Sequence, residues 1–498
     1  MSNAIDQRSP CIIGVARRTW HEADAPDGAP EPLLMWDEVA RSAAADAGIG
    51  TPGLAQLGSI DVVYTQSWQY DDPTARLAER LGATPTRTNY SGIGGSVPQV
   101  LAATVATAMS AGDLDLALIV GAEALATVRQ LKKAGQKPAW SFKPEERRPF
   151  PMDMTFHPSE ISHSVFEAYL TFSLFDNARR AHLGRTLPEH AAKLGQLLSP
   201  MTEVAAKNPH AWFPRFRSAD EIVTATTENR MVAYPYTKLM TAIMDVDMAA
   251  GLIMATTAKA DELGVPEEKR VYLRGWGYDE DPAHVAGHHD LWRSPAMAAA
   301  SGAALSGAGI DIDDVAHFDL YSCFASSVNF AQAALNLAEN DVRGVTQTGG
   351  LPYHGGPGSN YMTHSIAAMA ETLRADPGSF GLTSGVGMHM QKHTYGLWST
   401  VPGAVNFEGD SPAVEVAPSV AIVTSPEGPA TVATYSVLHG REGTPTSTLL
   451  ICDLPDSSRC YAMLDGGPDV FEQVETEELI GRRVTLTPKD DVNVAQLS

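Results

Sequence analysis

At 498 residues the chain exceeds what one hydrophobic core supports, and 44% apolar with 19% charged residues marks it as folded rather than disordered. Acidic residues outnumber basic ones 59 to 36, a formal net charge of −23 that argues against binding nucleic-acid phosphates or an anionic membrane surface. The four cysteines, Cys11, Cys323, Cys452 and Cys460, are too sparse for a disulfide framework and form no C-x-x-C pair, so neither a stapled fold nor a cysteine-based zinc site is expected. Met1–Arg8 is polar, and no apolar run reaches the ~18–20 residues of a membrane span, so a cytoplasmic location is the expectation.

In chain order, a strand over Cys11–Val15 precedes an alanine-rich helix over Leu33–Ile49, which stops near Gly48. A strand over Ile60–Tyr64 follows. The same sequence of elements returns later: a strand over Val271–Trp276, a helix over Met297–Ile310 stopping near Gly309, and a strand over His317–Tyr321. The copies lie ~260 residues apart, which indicates a duplicated domain rather than a short-period repeat. Alternating strands and helices of this length imply layered α/β halves. Within the first copy, the small-residue segment Ser96–Ala111 predicts a helix that can lie close to neighbouring backbone, stopped by Gly112 and followed by a buried strand over Leu116–Val120. In the second copy, the helix after Phe324 (ASSVNFAQAALNLA) is expected to play the comparable part.

Residues 127–229 break the pattern, being richer in proline, aromatics and charge, and read as an inserted loop-and-helix domain. Met231–Glu262 returns to the core pattern with an edge segment and then an expected helix over Met248–Ala258. Beyond Pro402 the runs VEVAPSVAIVT, ATVATYSVLHG, TSTLLICDL, CYAMLD and RRVTLTP alternate and are separated by turns, the pattern of a small β-barrel or sandwich. The expected organisation is 9–126 with 230–266 as the first half, 127–229 as the insertion, 267–401 as the second half and 402–498 as the β domain.

Several segments in the right order resemble the thiolase superfamily. GDLDLALIVGAEAL resembles the segment after the nucleophile helix; Leu320-Tyr321-Ser322-Cys323-Phe324 resembles the His-Asp-Cys-Phe signature of sterol-carrier-protein thiolases; Gly349–Gly358 resembles their glycine-rich segment; and Gly385-Val386-Gly387 resembles the late glycine turn. The Lys392-His393 pair and the appended β domain look like thiolase-like proteins of the acetyl-CoA acetyltransferase group. The resemblance covers about residues 9–401. It implies duplicated α-β-α-β-α halves with an inserted loop domain, here followed by a small OB-like β-barrel, and it implies a coenzyme A thioester as substrate with no permanently bound cofactor.

Thiolase chemistry needs a low-pKa cysteine thiolate at a helix N-terminus, donors for the thioester oxygen, and acid–base groups. Counting back without a gap from Glu123 puts the family's nucleophile at Gly95, and a small gap would make it Gly92 or Gly94; no cysteine lies between Cys11 and Cys323. The family's Gly-His-Pro reads Gly355-Gly356-Pro357, the late cysteine segment reads Leu382-Thr383-Ser384-Gly385, and His-Asp-Cys-Phe has become Tyr-Ser-Cys-Phe. Ordinary turnover through a cysteinyl enzyme at that helix is therefore not expected.

Three residues are the candidate substitutes: Cys323 as nucleophile, with His354 and His393 as acid–base groups. Each has a plain reading too, as a buried inert thiol, a loop histidine and a structural histidine. Tyr321 either donates to a thioester oxygen or caps its strand. Ser96 reads as a helix cap first and a catalytic serine second. From Arg129 to Arg148 seven basic residues face two acidic ones, an unusual density for so acidic a chain. Lys132, Lys133, Arg147 and Arg148, with Ser96 and Gly355, are the candidate contacts to coenzyme A; the alternative for the basic run is a solvated loop. Two functions stand side by side: acyl transfer or carbon–carbon bond chemistry on an acyl-CoA with a rearranged site, and a non-catalytic acyl-CoA-binding or assembly subunit. The expected partner is acyl-CoA, in a monomer, a homodimer or a pairing with another thiolase-like subunit, without nucleic acid, membrane or metal.

Overall fold

A computed structural model describes residues 6–22, 25, 27–149, 156–403 and 418–497. A nine-stranded sheet forms the body, in the order β3-β2-β4-β7-β1-β8-β11-β10-β9. Its first-half strands are β1 (Pro10–Thr19), β2 (Ser59–Val62), β3 (Arg87–Tyr90), β4 (Leu116–Ala124) and β7 (Asp247–Thr256). Its second-half strands are β8 (Val271–Glu280), β9 (Val315–Asp319), β10 (Phe380–Gly387) and β11 (Lys392–Ser399). The halves mirror each other outward from the β1–β8 junction, where Cys11 pairs with Tyr272 and Ile12 with Val271. On each side the neighbour is antiparallel, the next is antiparallel, and the fourth strand is parallel to the third. The repeat read from the sequence is thus a repeat in topology. A matched detail supports it: a Cβ on Gly14 of β1 would lie 2.1 Å from the Ala43 carbonyl oxygen, and one on Gly275 of β8 would lie 2.2 Å from that of Ala304. Each glycine lets the outer helix of its half, Pro32–Asp46 or Pro295–Ala308, lie directly on the sheet.

Two sequence expectations are corrected. Met248–Ala258 was expected as a helix, yet Asp247–Thr256 is a central strand and only Thr257–Glu262 is helical. Residues 248–255 are apolar or glycine throughout and the strand is buried on both faces between β4 and β1, a setting in which neither a period of two nor one of 3.6 shows. The second-half counterpart of Val97–Ala111 is not the helix after Phe324 but Tyr361–Ala375. Leu101, Ala102, Val105 and Met109 share one core with Ile366, Ala367, Met369 and Ala370, and both helices touch strands of both halves, which makes them the central layer. The helix after Phe324, Ala325–Ala334, packs on the outer side against Ala168–His182 and Pro295–Ala308. The small-residue signal was common to both segments, and only their place in the topology separates them.

The segment 231–237 adds two short strands, β5 (Met231–Ala233) and β6 (Tyr236–Thr237), to the C-terminal sheet. There, β12 (Gly428–His439), β13 (Pro445–Asp453), β14 (Arg459–Leu464), β15 (Arg483–Lys489) and β16 (Val492–Leu497) run in the order β13-β14-β16-β15-β12, and β12 pairs back to β13, closing a five-stranded barrel. Of the run VEVAPSVAIVT, residues 414–417 lie outside the described residues, and Ile422 makes a single bridge to Arg459. Cys452 and Cys460 stand opposite each other on β13 and β14 inside the barrel core, both fully buried and both free thiols. The barrel is fixed to the body through buried polar contacts. Glu160 accepts from Tyr461 Oη (2.7 Å) and from the Val285 amide (3.1 Å), and Asn177 Nδ2 donates to the carbonyl of Tyr435 (2.9 Å). No helix among the described residues is long and apolar enough to cross a membrane.

Candidate functional site

The site is built where the N-terminus of the central helix Val97–Ala111 meets the turn after β9 and the end of β10. Ser96 occupies the N-cap position but makes no side-chain cap bond, and Pro98 fills the first turn. Gly95 has no room for a side chain. A Cβ there would stand 2.1 Å from Tyr321 Oη, 2.4 Å from the Val386 carbonyl oxygen and 2.5 Å from Tyr321 Cζ. The Tyr321 hydroxyl therefore occupies the space that a residue-95 side chain would take. Tyr321 is held there by its amide donating to Ser384 Oγ (2.9 Å), by Ser327 Oγ donating to its carbonyl, and by an edge-to-face contact with Tyr361 at 5.6 Å. Burial, with Cys323 close by, keeps its phenol protonated well beyond the ordinary range.

Cys323 is two residues further on and 8% exposed. Burial pushes its thiol up to about 12, with Ser327 and the neighbouring backbone only partly offsetting this, so at neutral pH it is a thiol and not a thiolate. Its carbonyl accepts from the Ala242 amide at 3.0 Å. His354 is fully buried; its Nδ1 meets Asn208 Nδ2 at 3.2 Å and its Nε2 meets His364 Nδ1 at 3.3 Å. Burial, with the Arg17 charge adding to it, holds His354 neutral, and Tyr361 stands between its ring and Tyr321. His393 lies on the other face of the sheet. Gly385 and Thr394 face Ser96, so alternation turns the adjacent His393 away, to where Asp281 Oδ2 meets its Nε2 at 3.0 Å. The structure thus brings Gly95, Ser96, Tyr321 and Cys323 to one corner, sets His354 one ring behind it and separates His393 from it.

The glycine-rich segment is anchored from below by Asp319, the last residue of β9. Its carboxylate accepts from Thr346 Oγ1 (3.0 Å), the Gln347 amide (2.7 Å), the Thr348 amide (3.1 Å), Thr348 Oγ1 (3.2 Å) and Tyr361 Oη (3.2 Å). On the first-half side Glu123, at the end of β4, sits against Gly358 and accepts from the amides of Gln66 (2.7 Å) and Ser67 (3.0 Å). Burial raises its carboxyl from 4.5 to about 7, against the pull of those amides. In the unfolded chain the carboxyl loses its proton near 4.5, so its contribution to stability is fully present below that pH. It is lost as pH rises through about 7, by ~3 kcal/mol in all. Urea unfolding of wild type and Glu123→Gln at pH 5 and pH 8 checks this. The wild type's stability relative to the variant should fall toward pH 8, and a pH-independent difference would reject it.

Two adjoining clefts lie near this corner, although Gly95, Ser96, Tyr321 and Cys323 line neither. One, of about 860 Å³, is lined by Phe213, Arg215, Arg217, Lys238, Ile243 and Tyr353 among others. The second, of about 690 Å³, shares Lys238 and Ile243 and adds Arg129, Arg230 and Arg441. Their common wall at Ile243 is one step from the site: the Ile243 amide donates to the Leu351 carbonyl (3.5 Å), the Gly356 amide donates to the Ile243 carbonyl (2.8 Å), and Ala242 is bonded to Cys323. Lys132, Lys133, Arg147 and Arg148 line neither cleft. Arg148 instead donates to the Asp71 carbonyl at 2.7 Å, at the β2–β3 side of the body. Of the basic stretch, Arg129 alone reaches a cleft, where it pairs with Asp245. Sequence reading passed over Arg215, Arg217, Lys238 and Arg441; the run Phe213-Pro214-Arg215-Phe216-Arg217 was the available signal, with cations interleaved by aromatics.

A duplicated five-layer body, with its corner at the N-terminus of a central helix and a closed C-terminal barrel, defines the thiolase-like class. Among solved structures, the chain is similar to a monomeric SCP2-thiolase-like protein type 1 from Mycobacterium smegmatis. The two are 32% identical over 99% of this chain and 100% of that one, with a TM-score of 0.85. The chain therefore belongs to the SCP2-thiolase-like family of the thiolase superfamily. An Ltp2–ChsH2(DUF35) aldolase (15% identity, TM-score 0.57, 79% of this chain and 98% of that one) shares the fold. So does an acetyl-CoA acetyltransferase from Syntrophomonas wolfei (16%, 0.54, 80% and 100%). No family model and no curated protein matches the chain.

Proposed function

We propose that this protein binds acyl-CoA thioesters in the two joined clefts and does not pass the acyl group through a cysteine. The observation that carries the reading is Tyr321 Oη at 2.1 Å from where a residue-95 side chain would begin. With that space filled, the buried thiol of Cys323 protonated and His393 on the far face of the sheet, no described pair of groups forms an activated thiolate beside the helix N-terminus. In the larger cleft Phe213 and Tyr353 suit a nucleotide base and Lys238 suits a phosphate, while Arg215 and Arg217 share Glu221 as ion-pair partner at 3.7 and 3.8 Å. The thioester end would then point past Ile243 toward Tyr321. The division into two halves, an insertion and a β domain at the boundaries given above fits this reading, with the insertion and the barrel bordering the clefts.

The test is intact-mass analysis after incubation with acetyl-CoA and acetoacetyl-CoA, beside calorimetric titration of both. Binding without a mass increase is expected. An acyl adduct that disappears in Cys323→Ala would overturn the non-covalent reading, and no binding of either thioester would overturn acyl-CoA handling. A second reading, carbon–carbon bond chemistry on a non-covalently held thioester, is favoured by the same tyrosine. A hydroxyl fixed at the helix N-terminus can donate to a thioester oxygen as charge develops on it. The structure named above as an aldolase shares the fold. Turnover abolished in Tyr321→Phe, with thioester affinity retained, would select it.

A further inference from the structure

Within that reading of the clefts as the acyl-CoA site, we infer that the C-terminal barrel supplies part of the site itself, through Arg441 on the β12–β13 turn, which holds coenzyme A phosphate. Strand β12 adds to β5 at Leu438–Ala233, which carries the following turn to the rim of the 690 Å³ cleft. The turn is held in one shape: the Gly440 amide donates to the Thr444 carbonyl (2.9 Å), the Gly443 amide donates to the Gly440 carbonyl (3.0 Å), and His439 Nδ1 lies 2.8 Å from the Gly443 carbonyl oxygen. It sits against Arg230, whose Cβ would be 3.8 Å from a Cβ on Gly443. Arg441, Arg230 and Lys238 line this cleft from two stretches of chain, the barrel turn and the β5–β6 hairpin, across whose base the Lys238 amide donates to the Arg230 carbonyl (2.9 Å).

Arg129, on the same rim, is neutralised by Asp245. Among the described residues, Arg441, Arg230 and Lys238 have no carboxylate within ion-pair distance, although Glu167 and Glu228 also line the cleft. In a chain with a formal charge of −23, a cleft where Arg441, Arg230 and Lys238 outnumber Glu167 and Glu228 is an exception, and each of the three cations can donate to a phosphate oxygen. The ligand chemistry is a phosphate-bearing group joined to a thioester arm, and the barrel is thereby a ligand-contacting part of the protein.

The experiment uses the full chain and three probes: coenzyme A, pantetheine, which lacks the phosphates, and inorganic diphosphate. The variants are Arg441→Glu and, as a control elsewhere on the barrel, Arg482→Glu. Reversing the Arg441 charge should weaken coenzyme A and diphosphate by about tenfold at low ionic strength, less in salt, and leave pantetheine unchanged. Arg482→Glu should change none of the three. Coenzyme A affinity unchanged in Arg441→Glu overturns the inference, as does an equal loss for coenzyme A and pantetheine. If wild type binds no coenzyme A, the cleft assignment itself fails, an outcome read before any variant is made.

Discussion

Gly95→Cys is expected to lower stability by about 3 kcal/mol or more and to yield no acyl-enzyme, although it restores a cysteine at the family's position. The first heavy atom of the new side chain would lie 2.1 Å from Tyr321 Oη and 2.4 Å from the Val386 carbonyl oxygen, far inside contact distance. Tyr321 cannot swing aside freely, because its backbone is tied to Ser384 and Ser327 and its ring packs edge-on to Tyr361. Shortening it in the double variant Gly95→Cys with Tyr321→Ala removes one of the two clashes, but the Val386 carbonyl belongs to β10 and stays. The single variant should therefore be markedly destabilised in urea, the double variant only partly rescued, and neither should gain mass with acetyl-CoA. A single variant that unfolds like wild type, or that becomes acylated at residue 95, would show that this corner is open and would return the covalent mechanism. Gly95→Ala separates sterics from chemistry, since it should lose nearly as much stability as the cysteine variant.

The second large effect is expected at Asp319. Asp319→Ala should cost about 3–5 kcal/mol, because it removes the one carboxylate that accepts five hydrogen bonds at this turn, and the bonds among Thr346, Thr348 and Tyr361 replace only part of them. Those donors belong to Thr346, Gln347, Thr348 and Tyr361, so the loss falls on the turn that leads into Gly349–Gly358. Burial raises the Asp319 carboxyl above its ordinary range, with the Gln347 amide the first of the groups opposing this. Asp319→Asn keeps the shape and one acceptor oxygen but points an amide at donors, so it should fall between wild type and alanine. Hydrogen exchange of the amides at 347–351 should rise in both variants along with the drop in urea midpoint. Wild-type protection at those amides in Asp319→Ala would mean that the segment is held by its other contacts.

The duplication was legible because strand, helix and strand recur in the same order with glycine stops at Gly48 and Gly309, and both helices formed where expected. The barrel was legible because its strands alternate between a barrel core and solvent. The misread segment, Asp247–Thr256, is buried on both faces and carries no period to read. The misassigned central helix shows the same limit from another side. Ala325–Ala334 and Tyr361–Ala375 are both rich in small residues, and which one lies between the two half-sheets depends on contacts with residues far away in sequence.

The candidate site divides in the same way. The absence of a cysteine between Cys11 and Cys323, and of a histidine in Gly355-Gly356-Pro357, is complete in the sequence, and it settles which groups are not there. What fills their place is a matter of distance. Tyr321 is 226 positions from Gly95, and only the folding of β9 and β10 against the central helix sets its hydroxyl into the missing side chain's space. The cations at the clefts have the same origin. The basic run 129–148 was visible as local composition, but ligand-sized concavities are closed by segments from the first half, the insertion and the barrel together, so Arg441 could not be placed beside Arg230 from sequence order. Composition and local pattern determined the layered halves, the barrel and the missing nucleophile, because each is a property of contiguous residues. Which groups meet, and which thiol or imidazole is reachable and charged, was decided only by the tertiary packing, because burial and through-space distance are properties of the folded whole.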